Sequence, residues 1–272
     1  MHDEACPIFD DMIENHYIGH KFILDNFGVK PRIGWQVDPF GHSNTNARFF
    51  AEMGFDAWFF ARLDMQDKNK RLDDKTMEFV WRPNESKDTE DPLQIFTHVL
   101  YNGYSNPPGM DFDIVAGDPL WVNDRSSLGF NADVKSQQLD QFLSEKAEHY
   151  VTDDMIVLFG QDFRFMDAEY YYQSMDAMIE YMNLNYANKY NFIYSTPSNY
   201  IDALVKHNVT WTTKYDDMFP YSDVPDGFWS GYSTSRPNLK QQVRSLSSNF
   251  HASAQIYSLS ALDQEMTKQS FD

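Results

Sequence analysis

The chain carries 272 residues and a formal charge of −19, from 22 basic and 41 acidic side chains. That balance argues against nucleic acid, whose phosphates need clustered Lys and Arg, and no run reaches the ~18–20 apolar residues of a membrane helix. With 42% hydrophobic residues, among them 22 Phe, 16 Tyr and 6 Trp, disorder is excluded too, because that much apolar surface demands burial.

The opening residues, Met1-His2-Asp3-Glu4-Ala5-Cys6, do not read as a signal peptide. Cys6 is the one cysteine, so the chain closes no disulfide within itself and offers no Cys-x-x-Cys zinc pair. Residues 11–27 carry a helical stripe, Ile13, Tyr17, Leu24 and Phe27, stopped by Gly28, with no strand in front of it. Arg32–Val37 reads as a buried strand ending at Asp38-Pro39. A helix follows, capped by Ser43, with Ala47, Phe50 and Ala51 on one face and Gly54 as its stop. Ala57–Phe60, Phe79–Trp81 and Ile95–Leu100 are near-continuous apolar runs, which predict parallel strands covered on both faces.

The second half repeats the theme. Asp133 is predicted to cap a helix bearing Leu139, Leu143 and Ala147, which leads to a strand over Met155–Phe159. Asp167 caps a helix with Tyr171, Met175, Met178 and Met182. A strand over Phe192–Tyr194 precedes Thr196-Pro197, an N-cap with proline in the first turn. Strands alternating with helices imply an α/β architecture, open or barrel-like. From Pro237 onward Leu239, Val243, Leu246, Phe250, Ala254, Tyr257 and Ala261 mark a long amphipathic helix with no strand after it. Both ends therefore look truncated. Asn84-Glu85-Ser86 and Asn208-Val209-Thr210 are glycosylation sequons in polar stretches.

Catalytic groups of α/β proteins sit in loops at the carboxyl ends of parallel strands, and two carboxylates fall there. Asp38 directly follows the strand through Val37, and Asp162 follows the apolar run through Phe159. Asp162 lies among Phe159, Phe163 and Phe165, which predicts an enclosed acid beside the cation Arg164. Arg62 lies just past a third strand, placed to pair with a carboxylate or bind substrate. Two carboxylates flanking a sugar between aromatic walls make a glycosidase constellation. The plainer alternative is a helix-preceding cap and a loop acid, since 41 acidic residues offer many accidental pairs.

The wording of the motifs points further. Gly34-Trp35-Gln36-Val37-Asp38-Pro39-Phe40-Gly41-His42-Ser43, then Met53-Gly54-Phe55-Asp56 and Phe59-Phe60-Ala61-Arg62-Leu63-Asp64, resemble glycoside hydrolase family 38, most closely its lysosomal-type acidic α-mannosidases. Tyr101-Asn102-Gly103-Tyr104, Gly160-Gln161-Asp162-Phe163-Arg164-Phe165 and Tyr194-Ser195-Thr196-Pro197 extend the likeness. So do Phe219–Asp223 and Phe228–Pro237, in the same order and over nearly the whole chain. The resemblance implies a retaining exo-α-mannosidase, assisted by zinc, that removes terminal α-linked mannose from glycans through a covalent mannosyl-aspartate. It implies that Asp38 is nucleophile and zinc ligand, that Asp162 is the acid/base, and that Phe40, Arg62, Tyr104 and Trp229 meet the sugar. It also implies a (β/α)7-type barrel over residues 1–235, incomplete because its first strand is missing, and the first helix of a helical bundle over 236–272. The implied compartment is the lysosome or secretory pathway, and the implied partners are mannose-containing glycans and the remainder of the catalytic domain.

The chain also departs from the family pattern. Its other zinc-binding segments, a His-x-Asp pair and a His-His-Asp run, are absent, so Asp38 is the only implied ligand present. His2-Asp3-Glu4 matches a different family segment and is not a substitute. His42 and His98 are expected to be structural. The zinc site is thus incomplete, and these residues alone are expected to bind zinc poorly, to be inactive and to aggregate. A non-catalytic glycan-binding relative, using Trp229, Tyr104 and Phe40 as a stacking platform, is the main alternative. A polysaccharide deacetylase ranks far behind, because its His-x-x-x-His zinc pair is matched only by His16 and His20 within the N-terminal helix.

Overall fold

The computed structural model describes residues 1–83, 93–115 and 117–269, with side chains to residue 261. Helix α1 (Phe9–Phe27) leads into strand β1 (Ile33–Gln36), helix α2 (Asn44–Glu52), strand β2 (Ala57–Phe60), helix α3 (Met65–Asp74), and strands β3 (Glu78–Trp81) and β4 (Ile95–Val99). Helices α4 (Ala132–Ala147), α5 (Ala168–Asn185) and α6 (Pro197–Lys206), the short strand β5 (Thr212–Lys214) and helix α7 (Pro237–Gln269) complete the order. One mixed sheet runs β1-β2-β4-β3-β5, with β1, β2 and β4 parallel.

Strand β2 shows why the parallel strands are apolar throughout. Its four residues are fully buried, and successive side chains point to opposite faces. Trp58 and Phe60 enter a core with Phe50, Trp81 and Met218, while Ala57 and Phe59 enter a second with Val37, Leu100, Tyr200 and Leu204. Gly34 on β1 leaves room for the Phe50 ring, which would stand 2.7 Å from an added Cβ. A third core joins α4 and α5 through Leu139, Leu143, Tyr171, Met178 and Met182, together with Met110 and Phe112.

Several expectations need correction. Among the described residues the sheet is open, with β1 and β5 as its edges. Strand β3 is antiparallel to β4, because the polar connection between them carries no helical stripe to make a parallel crossover. Residues 155–159 form no strand. Both edges of β4 are already taken, by β2 and β3, so this run has nothing to pair with there. Its side chains still alternate, with Ile156 and Leu158 against one core and Met155, Val157 and Phe159 against another. The Lys146 ammonium donates to the Ile156 carbonyl in place of a ladder bond. Residues 192–194 likewise form no strand, and Ile193 and Tyr194 lie exposed.

Helix ends hold as read at Ser43, Asp167 and Thr196, whose side chains accept from the first-turn amides. Helix α4 begins two residues earlier, with Asn131 as N-cap. The Asp133 carboxylate is drawn instead to Arg125 and the Tyr181 hydroxyl. The α1 stripe is also rotated from its expected role. Ile13, Tyr17, Leu24 and Phe27 face outward, and the docked face is Met12, His16 and His20. The apolar residues of α7 up to Ala261 lie exposed as well. That helix meets the N-terminal segment through Arg244 donating to the Cys6 carbonyl and Ser247 donating to Asp11. No described helix is long and apolar enough to cross a membrane.

His16 makes the docking of α1 sensitive to acid. Its ring stands edge-on to Phe50 at 4.9 Å and lies 5.2 Å from the His2 ring. Burial, and then the neighbouring His2, His20 and amino terminus, push the imidazole down to about 4. An undocked histidine titrates near ~6.5, so between those values the undocked helix binds the extra proton. Stability of the docked state therefore falls as the pH drops from about 6.5 to about 4. Corrected for intrinsic rates, α1 amide exchange should speed up by about tenfold or more between pH 7 and pH 4.5 in the native chain. In His16→Gln the acceleration should be much smaller; an equal acid response in both would refute this.

Candidate active site

Strand register assembles the first half of the site. Gln36 of β1 pairs with Phe60 of β2, so Asp38 and Arg62, each two residues farther on, emerge side by side at the carboxyl edge of the sheet. Arg62 Nε donates to Asp38 Oδ1 at 2.5 Å, and Nη2 reaches the same oxygen. Tyr104 comes from the loop after β4, the next parallel strand. Arg62 Nη2 donates to its hydroxyl at 3.2 Å, and that hydroxyl donates to Asp162 Oδ2 at 3.4 Å. A continuous path, Asp38–Arg62–Tyr104–Asp162, therefore joins the two carboxylates.

Four aromatic rings surround the guanidinium. Its central carbon lies 5.2 Å from the Phe40 ring, 5.6 Å from Tyr104 and Tyr221, and 5.8 Å from Trp229, within cation–π range. Burial alone would pull Arg62 down, but hydrogen bonds to Tyr221, Asp38 and Tyr104 and the Asp38 charge hold it above the ordinary arginine value. It stays a cation. Burial and the two aspartates raise the Tyr104 phenol against the opposing pull of Arg62, so its proton remains available to Asp162.

The structure thus brings Asp38, Phe40, Arg62, Tyr104, Asp162 and Trp229 to one rim. It differs from expectation at Asp162, which is exposed rather than enclosed. Phe163 turns out to solvent, Phe165 stacks on Tyr171 and Phe159 lies beside Phe112. Arg164 leaves the Asp162 carboxylate alone and pairs with Asp111. Three contributors were missed. Tyr221 accepts from Arg62 Nη1 at 3.3 Å, Asp223 accepts from Trp229 Nε1 at 2.8 Å, and the Tyr232 hydroxyl donates to the Phe40 carbonyl at 3.0 Å. All three lie inside motif segments visible in the sequence, but only their contacts reveal a role.

The histidines stand apart from this rim. His42 is fully buried, stacks on Phe60 and donates through Nδ1 to Glu4 at 2.9 Å. His2 is bonded to Asn46 and His98 to Glu78. Asn208 is exposed at a turn with φ of 51°, and Asn84 lies outside the described residues. Among the described residues, no group of three or more His, Cys, Asp or Glu converges to hold a metal ion. The Asp38 carboxylate is paired with Arg62. The zinc implied by the resemblance therefore does not fit these residues by themselves.

Comparison with known proteins bears on this arrangement. The description "Glycosyl hydrolases family 38 N-terminal domain" matches residues 1–224. A lysosomal α-mannosidase of Dictyostelium discoideum is 43% identical over 258 residues, covering 94% of this chain and 25% of that protein. An α-mannosidase of Arabidopsis thaliana is 41% identical over 272 residues, covering 97% and 26%. The human lysosomal α-mannosidase is 39% identical over 257 residues, covering 92% and 25%. The chain thus spans about a quarter of the length of the curated relatives it matches. The crystal structure of an α-mannosidase from Enterococcus faecalis V583 shares the fold with a TM-score of 0.57 at 16% identity, over 80% of this chain and 21% of that one.

Gly41 fixes how the Asp38 loop leaves the sheet. It has φ of 96°, and an added Cβ would stand 2.3 Å from the Phe219 ring and 2.9 Å from the Met218 carbonyl. Beside it, His42 and Met218 exchange two backbone hydrogen bonds at 2.9 Å. Gly41→Ala should therefore cost about 1–3 kcal/mol from the left-handed backbone alone. Urea unfolding would read this as a lowered midpoint, and an unchanged midpoint would contradict it.

Proposed function

Because this chain belongs to glycosyl hydrolase family 38, we propose that its Asp38–Arg62–Tyr104–Asp162 rim acts on terminal α-linked mannose, as part of a retaining exo-α-mannosidase. The observation that carries the reading is the hydrogen-bonded path joining two carboxylates from distant parts of the sequence, beside an aromatic wall.

Each residue then has a task. Phe40 and Trp229, whose rings meet at 5.0 Å, wall one side of the sugar. Arg62 holds the Asp38 carboxylate in place, and Asp38 attacks the anomeric carbon to form a mannosyl ester. Asp162 gives its proton to the departing glycosidic oxygen. It then takes one from the water that cleaves the ester, which restores both acids. Tyr104, bonded to both Arg62 and Asp162, keeps the two acids facing the same ring. The substrates are mannose-containing glycans, and the compartment is the lysosome or secretory pathway. The exposed apolar faces of α1 and α7 support the remainder of a catalytic domain as a partner.

One observation favours a second reading. The described residues converge on no metal, while Trp229 is 41% exposed and ready to stack on a sugar. That supports mannose binding without turnover.

Hydrolysis of p-nitrophenyl α-mannoside by this chain together with the remainder of its catalytic domain, with zinc supplied, separates the two. The hydrolase reading expects turnover that falls by at least about 10³-fold in Asp38→Ala and is strongly reduced in Asp162→Asn, with unfolding midpoints unchanged. Near-normal activity in Asp38→Ala would end the nucleophile assignment. Absence of turnover, with a mannose-configured iminosugar quenching fluorescence that Trp229→Phe abolishes, would select the binding reading.

A further inference from the structure

We propose that Asp111 is a positioning residue for Asp162: it clamps the left-handed turn that carries this acid and so fixes the acid against Tyr104. The proposal rests on reading Asp162 as the proton donor and adds what holds it in place.

The turn from Gly160 to Phe165 is conformationally costly. Gly160 has φ of 122°, Phe163 of 58° and Phe165 of 62°. Glycine tolerates such values, but a bulky aromatic residue adopts them only where its surroundings over-determine the backbone. Asp162 and Phe163 cannot supply that constraint, because both are exposed. The Asp162 carboxylate itself has one weak tether, the 3.4 Å bond from Tyr104. Its position therefore depends on the backbone beneath it.

Asp111 supplies the constraint from outside the turn. Its carboxylate accepts from Gln161 Nε2 at 2.9 Å, from Arg164 Nε at 2.9 Å and from Arg164 Nη2 at 2.8 Å. Those two residues bracket Asp162, so one acid grips both sides of the other. Arg164 Nη1 also donates to the Asp162 carbonyl at 3.3 Å. The ion pair is 16% exposed at each partner and is fork-shaped, unlike an ordinary solvated surface pair. Burial pushes the Asp111 carboxyl up, but Arg164 and Gln161 outweigh it and hold it below the ordinary aspartate value.

The clamp stands on firm ground. Met110 and Phe112, on either side of Asp111, are fully buried in the core joining α4 and α5, and the Asp111 amide donates to Asp118 at 3.0 Å. At the start of the turn Asn106 accepts from the Gly160 amide at 2.6 Å, and at its end Phe165 stacks on Tyr171 at 4.2 Å. Among the described residues, Asp111 makes the strongest side-chain contacts that reach the segment between those two points from outside, beside the single long Tyr104 bond to Asp162.

The test reads the coupling of Tyr104 to Asp162 in the chain itself, through the ¹³Cγ resonance of Asp162. Tyr104→Phe should move that resonance in the native background and leave it unmoved in Asp111→Asn. Arg164→Gln, which breaks the pair from its solvent side and leaves the core residues untouched, should give the same loss. Amide exchange over residues 160–165 should quicken by about tenfold or more in either variant, and no further in the double variant, while β2 stays protected. A Tyr104→Phe shift of equal size in all backgrounds, or native protection of the turn in both variants, would overturn the proposal. Failure of the hydrolase reading would show separately, as mannoside hydrolysis indifferent to Asp162→Asn.

Discussion

The pairing of Arg62 with Asp38 is the interaction around which the rim is organised. A carboxylate at the edge of an apolar sheet needs a counter-charge, and an arginine among aromatic rings needs acceptors in the plane of its fork. Arg62 meets both demands at once, with Nε and Nη2 on Asp38, Nη1 on Tyr221, Nη2 also on Tyr104, and rings around it. A lysine could not replace it, because a point charge on a flexible stem has no planar fork to span three partners. The pair exists because β1 and β2 are neighbouring parallel strands in a register that brings their carboxyl ends out level.

The two acids are held by different physics. Asp38 stands on the sheet, directly after buried Val37, with Gly41 and the His42–Met218 bridge turning the chain away behind it. Asp162 stands on a turn with unfavourable backbone torsions and no strand beneath it, and its neighbours reach outward to Asp111 and Asn106. One side of the rim is positioned by hydrogen-bonded strands and close packing. The other is positioned by charge-assisted hydrogen bonds at a half-buried ion pair, which respond far more to a single substitution.

Much of this could be read from local pattern. β1, β2 and β4, the caps at Ser43, Asp167 and Thr196, and the Met175, Met178 and Met182 face of α5 follow from side-chain chemistry that acts within a few residues. Asp38 and Arg62 were legible because strand ends are where such groups gather, and Tyr104 through the family resemblance of its motif. The failures were non-local. Residues 155–159 have the composition and alternation of a strand, yet a strand needs a free neighbour edge, and β3 occupies it. The α1 stripe was legible as a helix, but not which way it faces, since the rings of Phe50 and Phe55 receive His16 and His20 rather than the larger apolar residues. Asp111 carried no local signal and Tyr221 only a place in a motif, because each matters through a partner far away in the chain.

By itself, the sequence determined that this is a folded, acidic, aromatic-rich α/β chain of family 38, and named the six residues that meet at the rim. The α/β pattern and the strand-end positions of Asp38 and Arg62 reside in residue type and short-range spacing, which need no partner to be expressed, while the family and the places of Phe40, Tyr104 and Trp229 were read from motif resemblance. The tertiary structure alone decided that β3 runs antiparallel, that Asp162 is exposed, and that Arg164 turns from its neighbour toward Asp111. The reason is competition: a strand edge, a carboxylate or a guanidinium satisfies only so many partners, and which of them it takes depends on the whole chain being in place.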